Sequence, residues 1–158
     1  MAKIKLAALD VDGTLIRRDL SLSKAVEQAL QSLHDAGVEV AIVTGRTMGE
    51  LLHFRKLLPW IRYFVVSNGS VGLDAERNVR FYEKLLPLGI ARAVEREARK
   101  YPVMTEVYTE GMSYVNRDCW EHSELYTAEF LHHFSLADGR VPVESVGALL
   151  DERTEDIE

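Results

Sequence analysis

Two aspartates, Asp10 and Asp12, stand one residue apart at the end of an apolar run, in the stretch LAALDVDGTLI covering residues 6 to 16. Carboxylates this close repel one another and resist burial. Either water and turn geometry relieve them, or a cation does. A turn beginning at Asp10 can bring one carboxylate and a nearby carbonyl onto a shared ion. Mg2+ prefers oxygen ligands and keeps several waters, so it suits such an open half-site. With the metal in place, one aspartate can attack phosphorus and form an aspartyl-phosphate. The other can protonate the leaving oxygen and then deprotonate the attacking water. Gly13 permits a sharp turn, and Thr14 can donate to the site. An isolated DxDG reads first as a solvated Asp-turn. Its position after an apolar strand and before a helical segment favours the cation site.

Two further turns carry polar groups of the same kind. At Thr44–Gly45–Arg46 a hydroxyl and backbone N–H groups at a helix start suit a phosphoryl group, and Arg46 can take an anion bidentately. Plain helix capping accounts for these residues equally well, with Thr47 the better N-cap. Ser67–Asn68–Gly69 consists of ordinary turn residues and gains meaning only beside the other two turns.

These turns need strands behind them. Residues 4 to 9 read as a buried strand. Leu22, Val26, Ala29, Leu30 and Leu33 recur at helical spacing, capped by Ser21 or Ser23 and stopped at Gly37. Residues 38 to 43 form a second apolar strand. A helix follows from Thr47, which pairs with Glu50 in a capping box, and Pro59 ends it. Residues 63 to 67 form a third strand. Strands apolar on both faces, alternating with helices, make a parallel sheet with right-handed crossovers. Ligands of such sheets gather at the carboxyl ends of the strands.

The pattern changes after Gly69. Residues 71 to 83 read as a hairpin, and residues 88 to 100 as a helix with Ile90, Val94 and Ala98 on one face. A second hairpin turns at Glu110–Gly111. Asp118 or Glu121 can cap a helix over residues 120 to 134. Asp138–Gly139 is a turn, followed by a short helix and a solvated acidic tail. A parallel α/β part, residues 1 to 85, thus precedes an antiparallel α+β part, residues 86 to 158.

Other residues carry less chemistry. His132 and His133 are helix neighbours pointing about 100° apart, poor partners for one metal. His34, His53 and His122 lack metal-ligand spacing. Trp60, Trp120, Phe130 and Phe134 read as core or interface. Cys119 is the only cysteine, which excludes an internal disulfide, suits a reducing compartment and, without a neighbouring base, reads as inert. The 158 residues carry a net charge of −6, against nucleic acid or an anionic membrane as the main partner. The N-terminus carries no signal-peptide or transmembrane pattern, so a cytoplasmic location is expected.

DVDGT, TGR and SNG, in this order and on these elements, resemble the haloacid dehalogenase (HAD) superfamily of phosphohydrolases. The hairpin and α+β region resemble its Cof-like branch. The resemblance implies a Rossmann-like parallel sheet core with an inserted α+β cap domain, incomplete here. It implies a Mg2+-dependent phosphatase of small phosphorylated metabolites. Asp10 would be nucleophile and metal ligand. Asp12 would be the general acid/base and lend its carbonyl to the metal. Thr14, Thr44 and Gly45 would meet the phosphoryl group, and Arg46 and Asn68 would line the substrate entrance. Family members continue past the cap to a lysine and a Gly-Asp segment with further aspartates. Residues 86 to 158 contain no such cluster, and Lys100 sits in the wrong context, so this chain is expected to stop inside the cap. Loss of such groups costs several powers of ten in rate, and a sheet edge would stay exposed. Homo-oligomers could form through that edge or the cap. The alternatives are a phosphosugar mutase, or a non-catalytic remnant binding phosphate or Mg2+. A phospho-acceptor signalling domain would want an aspartate where Ser67–Asn68 stands.

Overall fold

The computed structural model describes residues 3–17, 19–126 and 139–158. Their contacts form two units: Met1–Arg46 with Phe54–Glu83, and Thr47–His53 with Lys84–Glu158.

In the first unit, β1 (Leu6–Leu9), β2 (Glu39–Val43) and β3 (Tyr63–Val66) run parallel, in register Leu9↔Ile42 and Val43↔Val65. β4 (Val71–Asp74) and β5 (Val79–Glu83) continue the sheet antiparallel, giving the order β1-β2-β3-β4-β5. The parallel three-strand core expected from the sequence is present. Phe64, Ile42, Val66 and Val71 are fully buried. Helix α1 (Lys24–Asp35) starts where the Ser23 hydroxyl accepts the Val26 N–H and ends before Gly37 at φ +72°. The helix expected from Thr47 is divided: a 3₁₀ turn at Gly49–Leu51 leads into α2, only Leu52–Leu57. Arg62 forks onto both Asp74 oxygens (2.9 and 2.6 Å), tying the entry of β3 to the end of β4. That guanidinium holds the Asp74 carboxyl below its ordinary range.

One expectation fails here. β1 is not a buried strand: it pairs with β2 alone, and Leu6 is 56% exposed and Ile4 70%. Its apolar composition suits a strand covered on both faces, whereas here it forms the edge of the sheet.

In the second unit, β6 (Glu106–Thr109) and β7 (Met112–Asn116) form the expected hairpin, turning through Glu110 at φ +54° and Gly111 at φ +74°. Helix α3 (Leu88–Ala98) packs on α5 (Val146–Glu152) around Leu88, Ala91, Val107, Val146, Leu150 and Ile157. The buried face of α3 is therefore not the predicted one. Ile90 is 51% and Val94 56% exposed, while Glu95 is buried and pairs with Arg99. Gly147 makes room for that pair, since a Cβ there would lie 2.6 Å from the Arg99 guanidinium carbon. Leu88, Ala91 and Glu95 share the inward face, and the half-exposed Arg99 reaches back to the Glu95 carboxylate.

The acidic tail is largely exposed, as expected, but it is tied down at its end, where Ile157 is buried. Leu86 and Ile157 exchange backbone hydrogen bonds (2.7 and 3.1 Å), the Asp156 carboxylate accepts the Leu88 N–H, and Glu158 accepts the Gly111 N–H. β8 (Arg140–Val143), not expected, adds to β7 in parallel. Helix α4 (Arg117–Glu121) begins at Asn116, earlier than expected, and neither Asp118 nor Glu121 caps it. Its predicted continuation, with Phe130, His132, His133 and Phe134, and Asp138 of the predicted turn lie outside the described residues.

Thr47–His53 joins this unit through specific bonds. Thr47 and Glu50 make the predicted reciprocal capping box, at 2.8 and 3.4 Å. The Gly49 N–H donates to the Gly111 carbonyl at 2.7 Å. Buried Glu50 pairs with Arg140 at 3.1 Å, and Arg140 also reaches Glu106. Burial, with Glu106 and Glu50 nearby, pushes the Tyr108 phenol up to about 12. Among the described residues no helix is long and apolar enough to cross a membrane.

Candidate functional site

The three polar turns begin at equivalent places. β1 ends at Leu9 and Asp10 follows; β2 ends at Val43 and Thr44 follows; β3 ends at Val66 and Ser67 follows. Because the strands are parallel, all three turns leave the same end of the sheet.

The first turn is organised by Val11. Its side chain is fully buried, and its carbonyl accepts N–H bonds from Thr14, Leu15 and Ile16 at 3.4, 3.0 and 3.0 Å. Gly13 takes φ +72°, which lets the chain fold back so that its N–H reaches the Ile16 carbonyl. Anchoring Val11 fixes Asp10 and Asp12 on either side of it. Asp10 is exposed, as is Thr14, and among the described residues no side chain bonds the Asp10 carboxylate.

The second turn is held from both sides. The Thr44 N–H donates to the Val65 carbonyl, the Thr44 hydroxyl accepts the Arg46 N–H at 3.2 Å, and the Ser67 N–H donates to the Arg46 carbonyl at 2.8 Å. Thr44 is buried, and its hydroxyl proton stays available to an anion. A Cβ on Gly45 would lie 2.7 Å from the Asn68 side-chain oxygen, so glycine brings the second and third turns together. The third turn holds Ser67 at φ +51° and Asn68 at φ +55°, a left-handed conformation that strains serine and that asparagine tolerates.

The most specific contact joins the first two turns. Arg46 Nε donates to Asp12 Oδ2 at 2.8 Å, and Nη2 donates to Oδ1 at 2.7 Å. The bidentate geometry expected of Arg46 is realised on a carboxylate of the chain itself. Sequence reasoning missed this pair, although the parallel pairing of β1 with β2 carries the signal. With Leu9 opposite Ile42, Asp12 and Arg46 lie three and four residues past that rung. The structure thus brings Asp12 to Arg46 and Gly45 to Asn68.

Among the described residues no three His, Cys, Asp or Glu side chains stand together as a metal site. The first turn nevertheless supplies hard oxygen donors. The Asp10 carboxylate is exposed, and no backbone hydrogen bond of the loop uses the Asp12 carbonyl. Such a partial set fits a cation that keeps most of its waters.

A family model of haloacid dehalogenase-like hydrolases matches residues 7–142. A Streptococcus pyogenes protein that bears a phosphatase name is 32% identical over 124 residues, covering 76% of this chain and 46% of that protein. An HMP-PP phosphatase of Cronobacter sakazakii is 33% identical over 90 residues, covering 57% of this chain and 33% of its own length. A solved haloacid dehalogenase-like hydrolase from Bacillus subtilis superposes with a TM-score of 0.75 at 22% identity, over 98% of this chain and 59% of that one. The chain spans less than half the length of these curated relatives.

Proposed function

Because the chain belongs to the haloacid dehalogenase-like hydrolase family, we propose that it carries the nucleophile and acid/base half of a Mg2+-dependent phosphatase acting on small phosphorylated metabolites. One observation carries the reading: the DVDGT, TGR and SNG turns all start on the residue after a parallel strand. The phosphatase names of the relatives support the reaction class.

In this reading the core is residues 1–85 and the cap begins at residue 86. The Asp10 carboxylate and the Asp12 carbonyl hold the cation. When bound, Mg2+ neutralises charge on the transferring phosphoryl group. Asp10 attacks phosphorus, the bond to the leaving oxygen breaks, and Asp12 gives that oxygen a proton. Asp12 then takes a proton from water, whose oxygen attacks the aspartyl-phosphate; inorganic phosphate leaves and Asp10 is regenerated. The Thr44 hydroxyl and the Gly45 N–H receive phosphoryl oxygens, Thr14 donates from the first turn, and Arg46 and Asn68 meet the rest of the substrate. The lone buried Cys119 suits a reducing cytoplasm.

The test is release of inorganic phosphate from a panel of sugar phosphates and other small phosphate esters, with Mg2+ and with chelator. The expected result is Mg2+-dependent release that Asp10→Asn lowers by on the order of 10³-fold or more. An isomerised sugar phosphate in place of free phosphate, or release indifferent to Asp10, contradicts it.

A further inference from the structure

The peptide group joining Arg46 to Thr47 is held at both of its polar atoms. Its carbonyl accepts the Ser67 N–H at 2.8 Å, and its N–H donates to Glu50 Oε2 at 2.8 Å. On the upstream side, the Arg46 N–H donates to the Thr44 hydroxyl at 3.2 Å. The setting of this one peptide group therefore fixes how Arg46 meets Thr44, and so where the Thr44 hydroxyl proton can point. Glu50 controls that setting from the downstream side, and its Oε2 takes the Thr47 hydroxyl as well, at 3.0 Å.

The capping box uses only one Glu50 oxygen. The other is also taken. Glu50 Oε1 lies 3.1 Å from Arg140 Nη2, and the Glu50 side chain is 4% exposed. Arg140 is itself fixed by two strands. Its Nε donates to the Glu106 oxygens at 3.2 and 3.3 Å, and the buried Ser113 hydroxyl donates to Glu106 Oε2 at 2.8 Å. Backbone closes around the same place: the Gly49 N–H donates to the Gly111 carbonyl, and Gly139 lies against the Glu50 backbone. A buried charge is costly without an opposite charge beside it. Withdrawing the guanidinium draws the Glu50 carboxylate toward water, and the acceptor of the Thr47 N–H goes with it.

We infer that Arg140 is a positioning residue for the TGR turn: through Glu50 it sets the Arg46–Thr47 peptide group, and through Arg46 it sets the Thr44 hydroxyl. The inference rests on the proposal that this turn receives a phosphoryl group.

Inorganic phosphate is the probe, titrated into the full chain with Mg2+ while the backbone amide signals of Arg46 and Thr47 are followed by NMR. In Arg140→Gln both signals should move before any phosphate is added. Phosphate should then bind about tenfold more weakly, the scale of one hydrogen bond to a charged group. Arg140→Lys, which restores the cation, should recover part of both effects. Glu50→Gln buries no carboxylate, keeps an acceptor for the Thr47 N–H and should weaken phosphate in the same direction, so the test stands even if Arg140→Gln does not fold. A role confined to fastening Thr47–His53 would lower Tm and leave phosphate affinity at its wild-type value. That result overturns the inference and leaves the phosphatase reading standing. Absence of phosphate binding in the wild type overturns both.

Discussion

At the scale of single residues, the molecule uses one device twice. A guanidinium forks onto a carboxylate at Arg46–Asp12 and again at Arg62–Asp74. The second pair lies away from the candidate site and has a consequence for stability. The Asp74 carboxyl is lowered from 3.8 in the folded chain, first by its hydrogen bonds from Arg62. A carboxylate whose folded value is depressed contributes stability that is fully present above its unfolded value. That contribution is lost as pH falls through the lower folded value. Stability should therefore decline on acidification below about pH 4, in the range where carboxylates titrate. In Asp74→Asn that part of the decline should vanish, with lower stability already at pH 7. Urea unfolding between pH 2 and 7 checks both. An Asp74→Asn profile parallel to the wild type would show that the pair contributes nothing. The parallel pairing of β1 with β2 carried a signal for Arg46–Asp12, whereas Arg62–Asp74 was not legible, because it depends on β4 folding back along β3.

At the scale of elements, the parallel strands and their three turns were readable because each apolar run ends at a polar turn. The contact of Gly45 with Asn68 was not, since it depends on adjacent turns rather than on either one. The inward face of α3 differs from the expected one: Leu88 and Ala91 carry it, with Glu95 buried beside them and paired to a half-exposed Arg99. β8 was not legible because it is four residues long and contains Pro142, and the pairing of Leu86 with Ile157 because it lies in a charged tail. Glycines separate turn geometry from close packing. Gly37 sits at φ +72° with nothing near its absent Cβ, so Gly37→Ala should cost about 1–2 kcal/mol. Gly139 sits at φ +82°, and a Cβ there would lie 2.2 Å from the Glu50 backbone nitrogen, which cannot swing aside. Gly139→Ala should cost about 3 kcal/mol or more, because strain and overpacking add. Denaturant midpoints of the two variants decide; equal losses would refute the packing of Gly139 on Glu50.

At the scale of the whole molecule, apolar surface stands uncovered in each unit. Among the described residues β1 pairs with β2 only and offers Leu6, with Ile4 just before it, and α3 offers Ile90 and Val94. Exposed apolar edges are places where chains pair. The chain is expected to self-associate with rising concentration, as read by light scattering after size exclusion. Leu6→Lys should return it to monomer if the edge is used, and Val94→Lys if α3 is used. A monomer at all concentrations would contradict association through either surface. The α/β fold class was legible in the sequence, and the family match over residues 7–142 agrees with it.

The central claim is that Asp10 becomes phosphorylated. The most direct measurement incubates the chain with Mg2+ and a small phosphate donor such as acetyl phosphate, quenches in acid, reduces with borohydride and maps the product by mass spectrometry. Borohydride converts an aspartyl-phosphate to homoserine. The account predicts homoserine at position 10 in the wild type and none in Asp10→Asn. Phosphate found instead on a serine or threonine, or turnover that continues in Asp10→Asn, would contradict it.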